Sequence, residues 1–324
     1  MNPGSTIRLA RALLGARLTG RRTPLVASLL LTNRCNLDCA YCGRAGDGTN
    51  ELSAAQWTRL VDELADLGCL RLSVTGGEPL MRPDLGDILA RARDRGLSIN
   101  LNTNGHLVER RLEVVRLVQR VTISLDGPAA VHDAVRGPGS FDAVVHAAEI
   151  ARRENLPVTF YTVLSRDNLE HLPEVLALAR RFGARAFFQP GTALGLDGCT
   201  PNPTAPDAGA YRAALDRLIE WKQQSQPVGN SIAALRYLRH WPDPAPIVCL
   251  GHLLFCRIET DGNLRICGRD EVGERIDAVS LGLRAAIDKL PAPACTACWS
   301  AARVEFHLLA RMNPGAIINY LRNS

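Results

Sequence analysis

Three thiols, Cys35, Cys39 and Cys42, stand in a Cys-x3-Cys-x2-Cys run directly after the apolar segment from Pro24 to Leu31. Thiolates are soft ligands that select iron–sulfur clusters or zinc. Three of them on one short loop can take three corners of a four-iron cluster and leave the fourth iron open. A closed structural zinc site wants a further nitrogen or sulfur ligand nearby, and neither Cys nor His occurs from Gly43 to Gly68. Zinc or a purely structural role is the alternative reading of the same residues.

A second stretch, Leu72-Ser73-Val74-Thr75-Gly76-Gly77-Glu78-Pro79, follows at about the distance of one strand–helix–strand unit. It reads as a strand ending in two glycines, which let the backbone come close to a ligand, and an acid. A third set lies near the C-terminus: Cys249, Cys256 and Cys267, with Asp261-Gly262 between two β-rich runs as a hairpin signal, then Cys295 and Cys298 as a CxxC ahead of a helical pattern. Four thiolates from a hairpin and a helix start suffice to close a separate cluster, and a zinc ribbon is the alternative. Cys199 stands alone on a loop expected to follow the sixth strand, where a thiol could donate hydrogen.

The elements that must position these groups alternate. Ser53 to Gln56 reads as a capping box, with Trp57, Leu60, Val61, Leu64 and Leu67 as one helical stripe stopped by Gly68. Strands are expected at 70–75, 98–102, 120–125, 158–163 and 186–188, with helices at 83–95, near 108–117, 141–153 and 169–182 between them. Six strands counting the one before Cys35, with intervening helices, predict an α/β fold: a parallel sheet curved into a partial barrel, a (β/α)6 arrangement, with its chemistry at the C-terminal strand ends. Residues 1–23 read as a basic amphipathic helical extension that caps one barrel end, with contact to a membrane surface as the alternative. Residues 24–195 form the barrel, 196–246 a Pro-containing helical linker, and 247–324 a small α+β module.

Composition bounds the rest. Of 324 residues, 46% are hydrophobic and 5% aromatic, as in ordinary globular chains. The net charge of +5 is too small to imply nucleic acid. Ten cysteines that mostly fall into ligand-like groups argue for a reducing cytoplasm rather than a disulfide framework. No apolar run approaches the length of a membrane span, and no secretory signal is expected.

The Cys-x3-Cys-x2-Cys loop with Tyr41 before its last thiol, together with Gly76-Gly77-Glu78-Pro79, resembles the radical S-adenosylmethionine (SAM) superfamily. That resemblance implies a SAM-binding [4Fe-4S] cluster on Cys35, Cys39 and Cys42, whose electron cleaves SAM to a hydrogen-abstracting 5′-deoxyadenosyl radical. It implies cofactor contacts from Tyr41, Gly76, Gly77, Glu78 and Pro79, with Glu78 facing the SAM ammonium. Ser124, Asp126 and the stretch from His132 to Gly137 resemble a pattern of relatives with extra clusters, in which Ser124 and Arg136 hold the SAM carboxylate and Asp126 faces the ribose. A guanidinium is the natural bidentate partner of a carboxylate.

The C-terminal spacing is similar to the Twitch module, the short relative of the SPASM domain, and implies one auxiliary [4Fe-4S] cluster on Cys249, Cys267, Cys295 and Cys298. The chain looks most like small radical SAM dehydrogenases: a two-electron oxidation of a small metabolite is expected, with flavodoxin or ferredoxin as reductant and no nucleic acid. Maturation of a ribosomally made peptide is the alternative, although the short stretch ahead of Cys35 is not expected to hold a leader-recognition domain. Redox-neutral epimerisation, with Cys199 or Cys256 returning hydrogen, is a further one.

Overall fold

The apolar run ahead of the cysteine loop forms β1 (Val26–Leu30), a strand buried along its whole length. Such a strand belongs inside a sheet covered on both faces. It pairs in parallel with β2 (Arg71–Thr75) on one side and β7 (Phe255–Ile258) on the other. The computed structural model describes residues 7, 11, 13–15, 18–43, 46–194, 201–243, 245–267, 275–293, 295 and 297–323. Beyond β2 the sheet continues in chain order through β3 (Ser98–Thr103), β4 (Arg120–Ser124), β5 (Val158–Leu164) and β6 (Arg185–Pro190), all parallel. β8 (Asn263–Arg265) and β9 (Ile276–Asp277) are antiparallel additions beyond β7. The Asp261-Gly262 hairpin thus forms as its sequence implies, and the C-terminal segment is hydrogen-bonded into the barrel sheet.

Parity along the strands separates two environments. Ala27 and Leu29, Leu72 and Val74, Ile99 and Leu101, Val121 and Ile123, Phe160, Ala186 and Phe188 are buried in the main core. The alternate residues, Ser28, Ser73 and Thr75, Asn102, Thr122 and Ser124, Tyr161 and Gln189, line an interior cavity. A closed (β/α)8 barrel fills its interior with branched apolar side chains. Here the interior is polar.

The connecting helices follow their sequence signals closely. Ala54–Asp66 starts at a complete capping box between Ser53 and Gln56 and buries Trp57, Leu60, Val61 and Leu64. Leu85–Asp94, Ser140–Arg153 and Leu172–Arg181 occupy the other expected places, while the helix expected near 108–117 is a single turn, Leu112–Val115. An additional helix, Ala129–Arg136, ends at Gly137, whose φ of 108° only glycine adopts easily. Ala208–Gln223 and Ile232–Leu238 occupy the linker, and Ala301–Ala310 follows the CxxC. The described residues at 7, 11, 13–15 and 18–19 are helical. Leu13 packs in one cluster with Leu25, Leu254, Leu309 and Ala316, so this extension covers the N-terminal end of β1.

Candidate active site

At the C-terminal ends of the strands a cavity of about 420 Å³ opens, lined among others by Cys35, Cys39, Tyr41, Cys42, Gly76, Gly77, Ser124 and Arg136. The size is that of small-molecule sites generally. Cys42 N–H bonds to Cys39 O at 2.9 Å, which turns the loop so that its three thiols meet the cavity together. Burial raises the Cys35 thiol and pushes that of Cys39 up to about 11, with Cys42 adding to both. Asn104 ties the loop to the end of β3 by donating to Asn36 Oδ1 at 2.8 Å.

Two scaffold residues outside the motifs fix the start of this loop. Glu51 accepts from the Thr32 hydroxyl, from Asn33 N at 3.0 Å and from Arg34 Nη2 at 2.9 Å. Buried Arg82 donates to Leu31 O at 2.7 Å and Leu52 O at 2.8 Å. The two glycines serve the same end. A Cβ on Gly76 would collide with Thr32 O and one on Gly77 with Arg34 O, while Gly77 N and Glu78 N donate to those carbonyls at 2.7 and 2.8 Å. The glycine turn therefore lies flat against the cysteine loop, and its other side faces the cavity.

Glu78 stands behind the glycine turn. Its side chain is fully buried and does not line the cavity. Oε1 accepts from Leu80 N at 3.1 Å and Thr103 Oγ1 at 3.0 Å, and Oε2 from Asn104 N at 2.8 Å. Burial pushes this carboxyl up to about 7, against the pull of those donors. These three donors tie the carboxyl to the chain that follows β2 and β3. Pro79 is likewise buried and opens the short helical turn after it.

Asp126 is also turned inward. Oδ2 accepts from Tyr41 OH at 2.8 Å and Arg136 Nε at 2.6 Å, Oδ1 accepts from Val163 N at 3.0 Å, and Asp126 N donates to His132 Nδ1 at 3.0 Å. Burial lowers the His132 imidazole to about 4, so it is neutral and carries its proton on Nε2. Burial opposes the charge on Arg136, but Asp126 and Tyr41 outweigh it and hold the guanidinium above its ordinary range. Arg136 also bonds to the Tyr41 hydroxyl and reaches Cys39 Sγ at 3.8 Å. Asp126 thus orients Arg136 instead of facing the cavity, whereas Ser124 and Arg136 do line it.

This combination, three thiols and a glycine turn at the open end of a parallel partial barrel, is matched by a family profile described as "Radical SAM superfamily" over residues 29–179. An AdoMet-dependent heme synthase of Methanosarcina barkeri is 30% identical over 273 residues, which span 76% of this chain and 77% of that protein. The chain belongs to the radical SAM superfamily. A PqqA peptide cyclase of Granulibacter bethesdensis is 35% identical over a shorter stretch, 48% of this chain and 43% of its own. Among solved structures, Streptococcus suis SuiB bound to S-adenosylmethionine has a TM-score of 0.67 at 18% identity, covering 89% of this chain and 71% of that one. The anSMEcpe structure with bound AdoMet has 0.64 at 17% identity, covering 82% and 78%. At such identities the likeness is one of fold.

As a radical SAM enzyme the protein uses SAM and a [4Fe-4S] cluster. The donor set suits them: three cavity-facing thiols on one loop, a guanidinium beside Cys39 and a hydroxyl at Ser124.

One C-terminal thiol of this radical SAM enzyme reaches the same cavity, and three others lie near that thiol. Cys267 lines the cavity, as do Trp299, Ser300 and Arg303. Burial raises the thiols of Cys249 and Cys295 and pushes that of Cys298 up to about 12, and all three also feel Cys267. Gln189, at the end of β6, donates to Trp299 O at 2.7 Å and accepts from Ala301 N at 2.9 Å, which fixes the loop carrying Cys298 to the barrel. Tyr237 OH accepts from Cys298 N at 3.1 Å. Arg303, half-buried over the Phe255 ring, bonds to the Cys267 thiol.

Cys256 is different. On β7, Phe255 and Arg257 face the cavity while Cys256 points into the main core, and burial raises its thiol strongly. It therefore does not reach a substrate in the cavity, and Cys199 lies outside the described residues. Tyr161, Arg257 and Arg303 enter the cavity unannounced by any motif. Strand parity in β5 and β7 could have placed the first two, and Arg303 lies five residues after Cys298 on the helix that follows it.

Proposed function

We propose that this radical SAM enzyme performs a two-electron oxidation of a small metabolite, with the C-terminal thiols holding an auxiliary [4Fe-4S] cluster. The observation that carries this reading is that Cys267 and Arg303 line the same cavity as Cys35, Cys39 and Cys42. Bound SAM and its cluster supply the hydrogen-abstracting 5′-deoxyadenosyl group. Cys35, Cys39 and Cys42 ligate the iron, and Gly76, Gly77, Ser124 and Arg136 hold the SAM methionine end, with Tyr41, Asp126 and His132 fixing Arg136. Substrate occupies the sector between Tyr161, Gln189, Trp299 and Arg303. It loses a hydrogen atom, then a proton and one electron; a cluster held by Cys249, Cys267, Cys295 and Cys298 would supply the acceptor for that electron.

A zinc site on Cys249, Cys267, Cys295 and Cys298 is the alternative to the cluster, and iron and zinc analysis of the anaerobically reconstituted protein separates the two: about eight irons per chain support the cluster, and one zinc with about four irons overturns it.

Peptide maturation is the second reading, supported by the 35% identity to a PqqA peptide cyclase. Anaerobic turnover in deuterated water separates the outcomes. Oxidation gives a product two electrons poorer with no new carbon-bound deuterium, and solvent deuterium at the abstraction site would overturn it. Turnover of a short peptide but of no small metabolite would favour the second reading.

A further inference from the structure

The polar parity of the barrel interior runs on below the cavity. Two residues before Ser73, Thr122 and Tyr161 on the same strand faces stand Arg71, Arg120 and Thr159, and Arg185 precedes Phe187 in the same way. At about 3.3 Å per residue this layer lies roughly 6.6 Å beneath the cavity lining. Register brings it together: Thr159 pairs with Arg185, Arg120 Nη1 reaches Thr159 Oγ1 at 3.4 Å, and Asn100 pairs with Arg120. The layer comprises Val26, Arg71, Ser98, Asn100, Arg120, Thr159 and Arg185, so it holds three cations and no carboxylate.

Elements outside the sheet close this base with more positive charge. Lys222, at the end of Ala208–Gln223, donates to Val228 O at 2.5 Å and to Asn319 Oδ1 at 3.0 Å, both neutral acceptors. Helix Pro314–Asn323 crosses below, with the Tyr320 ring 5.7 Å from the Arg71 guanidinium. Among the described residues no carboxylate forms an ion pair with Arg71, Arg185 or Lys222. Burial, then Arg71 and Arg185, lower the Arg120 guanidinium, and burial with Arg185 brings Lys222 down to about 8. The nearby acid, Glu305, accepts from Ser231 N at 2.6 Å and offsets part of the positive charge at Lys222, to which Arg322 adds.

Half-buried like charges repel and are poorly hydrated, a cost that a bound anion relieves. Forked guanidiniums on the alternate strands β2, β4 and β6, with an ammonium beside them, match the several oxygens of a tetrahedral oxyanion. We propose that the base of the barrel, between Arg71, Arg120, Arg185 and Lys222, is a binding site for a phosphate-class oxyanion, separate from the SAM cavity above it.

The test uses reconstituted holoenzyme saturated with SAM, so that Arg136 is already engaged. Inorganic phosphate is titrated by calorimetry at constant ionic strength set with chloride, beside a parallel titration with glycerol 3-phosphate. Saturable binding near one phosphate per chain is expected, weakened at least tenfold in Arg120→Gln and in Arg185→Gln, with 5′-deoxyadenosine formation retained. Binding of the ester as well as the free ion identifies a phosphorylated metabolite as a source, whereas binding of the free ion alone identifies inorganic phosphate. No saturable binding by the unaltered enzyme, or equal binding by a variant with native circular dichroism, overturns the proposal. Arg185→Lys guards against a folding failure: it keeps the charge, loses the fork and should bind with intermediate affinity.

Discussion

Glu78 lends itself to a test in which stability and cofactor binding part company. Its carboxyl sits near 7 in the folded protein against an ordinary 4.5. The folded state therefore holds this proton over a window in which the unfolded chain has released it. Stability contributed by the protonated form is fully present below about pH 4.5 and is lost as pH rises through about 7. A carboxyl carried from 4.5 to about 7 by burial corresponds to about 3 kcal/mol of linked stability. Protonated Glu78 can satisfy its surroundings: the acid proton goes to Thr103 Oγ1, and both backbone N–H groups keep an acceptor. In Glu78→Gln the amide NH2 cannot accept, so Leu80 N or Asn104 N is left without a partner, at about 1–3 kcal/mol. The variant should thus be about 2 kcal/mol less stable than the unaltered protein at pH 5, and the two should converge by pH 8. Urea unfolding of both cluster-free proteins between those pH values measures the difference, in which all other titrations cancel. SAM affinity of the reconstituted variant should change less than threefold, because Glu78 does not line the cavity. A stability gap constant with pH, together with a tenfold loss of SAM affinity, would refute the reasoning and return the carboxylate to the ammonium.

Replacing Cys35, Cys39 and Cys42 together with Ala should lower iron from about eight to about four per chain and abolish 5′-deoxyadenosine formation, as read by iron assay and chromatography. Arg136→Met strands the buried Asp126 carboxylate and should destabilise the fold by about 3–5 kcal/mol as well as weaken SAM binding. Asp126→Asn should keep the fold better but also weaken SAM binding, since it frees Arg136 from its support; unchanged binding in both variants would place the SAM carboxylate elsewhere. Cys256→Ala should leave turnover and product unchanged in deuterated water, because its thiol points into the main core; a changed product or deuterium content would contradict that placement.

The parts of this site that were legible in the sequence are those in which local spacing carries the information. Cys35, Cys39 and Cys42 come to the cavity on one turn, the capping box at Ser53 forms as read, and the six parallel strands follow from runs of apolar residues between helical stripes. Orientation at strand ends was less legible. Glu78 and Asp126 each stand just past a strand, where a one-residue difference turns a side chain from the cavity to the layer behind it. Backbone N–H groups that need acceptors there, Asn104 N and Val163 N, took the carboxylates. Long-range partners carried no local signal at all: Gln189 finds Trp299 across 110 residues, and β7 finds β1 across more than 200.

That last pairing bears on how the chain is made. β1, read as Val-Ala-Ser-Leu-Leu, has β2 on one side soon after synthesis, but its other edge waits for Phe255–Ile258. At a translation rate of 5–20 residues per second, that edge stays open for roughly 10–45 s. An apolar strand edge with unpaired N–H and C=O groups is a template for pairing with a second chain. Truncation ahead of β7 should therefore yield aggregates, even though every ligand of the SAM cluster would be present, and slower synthesis at low temperature would lengthen the exposure while weakening the apolar attraction that exploits it. Soluble yield is thus set by when the far end of the polypeptide arrives.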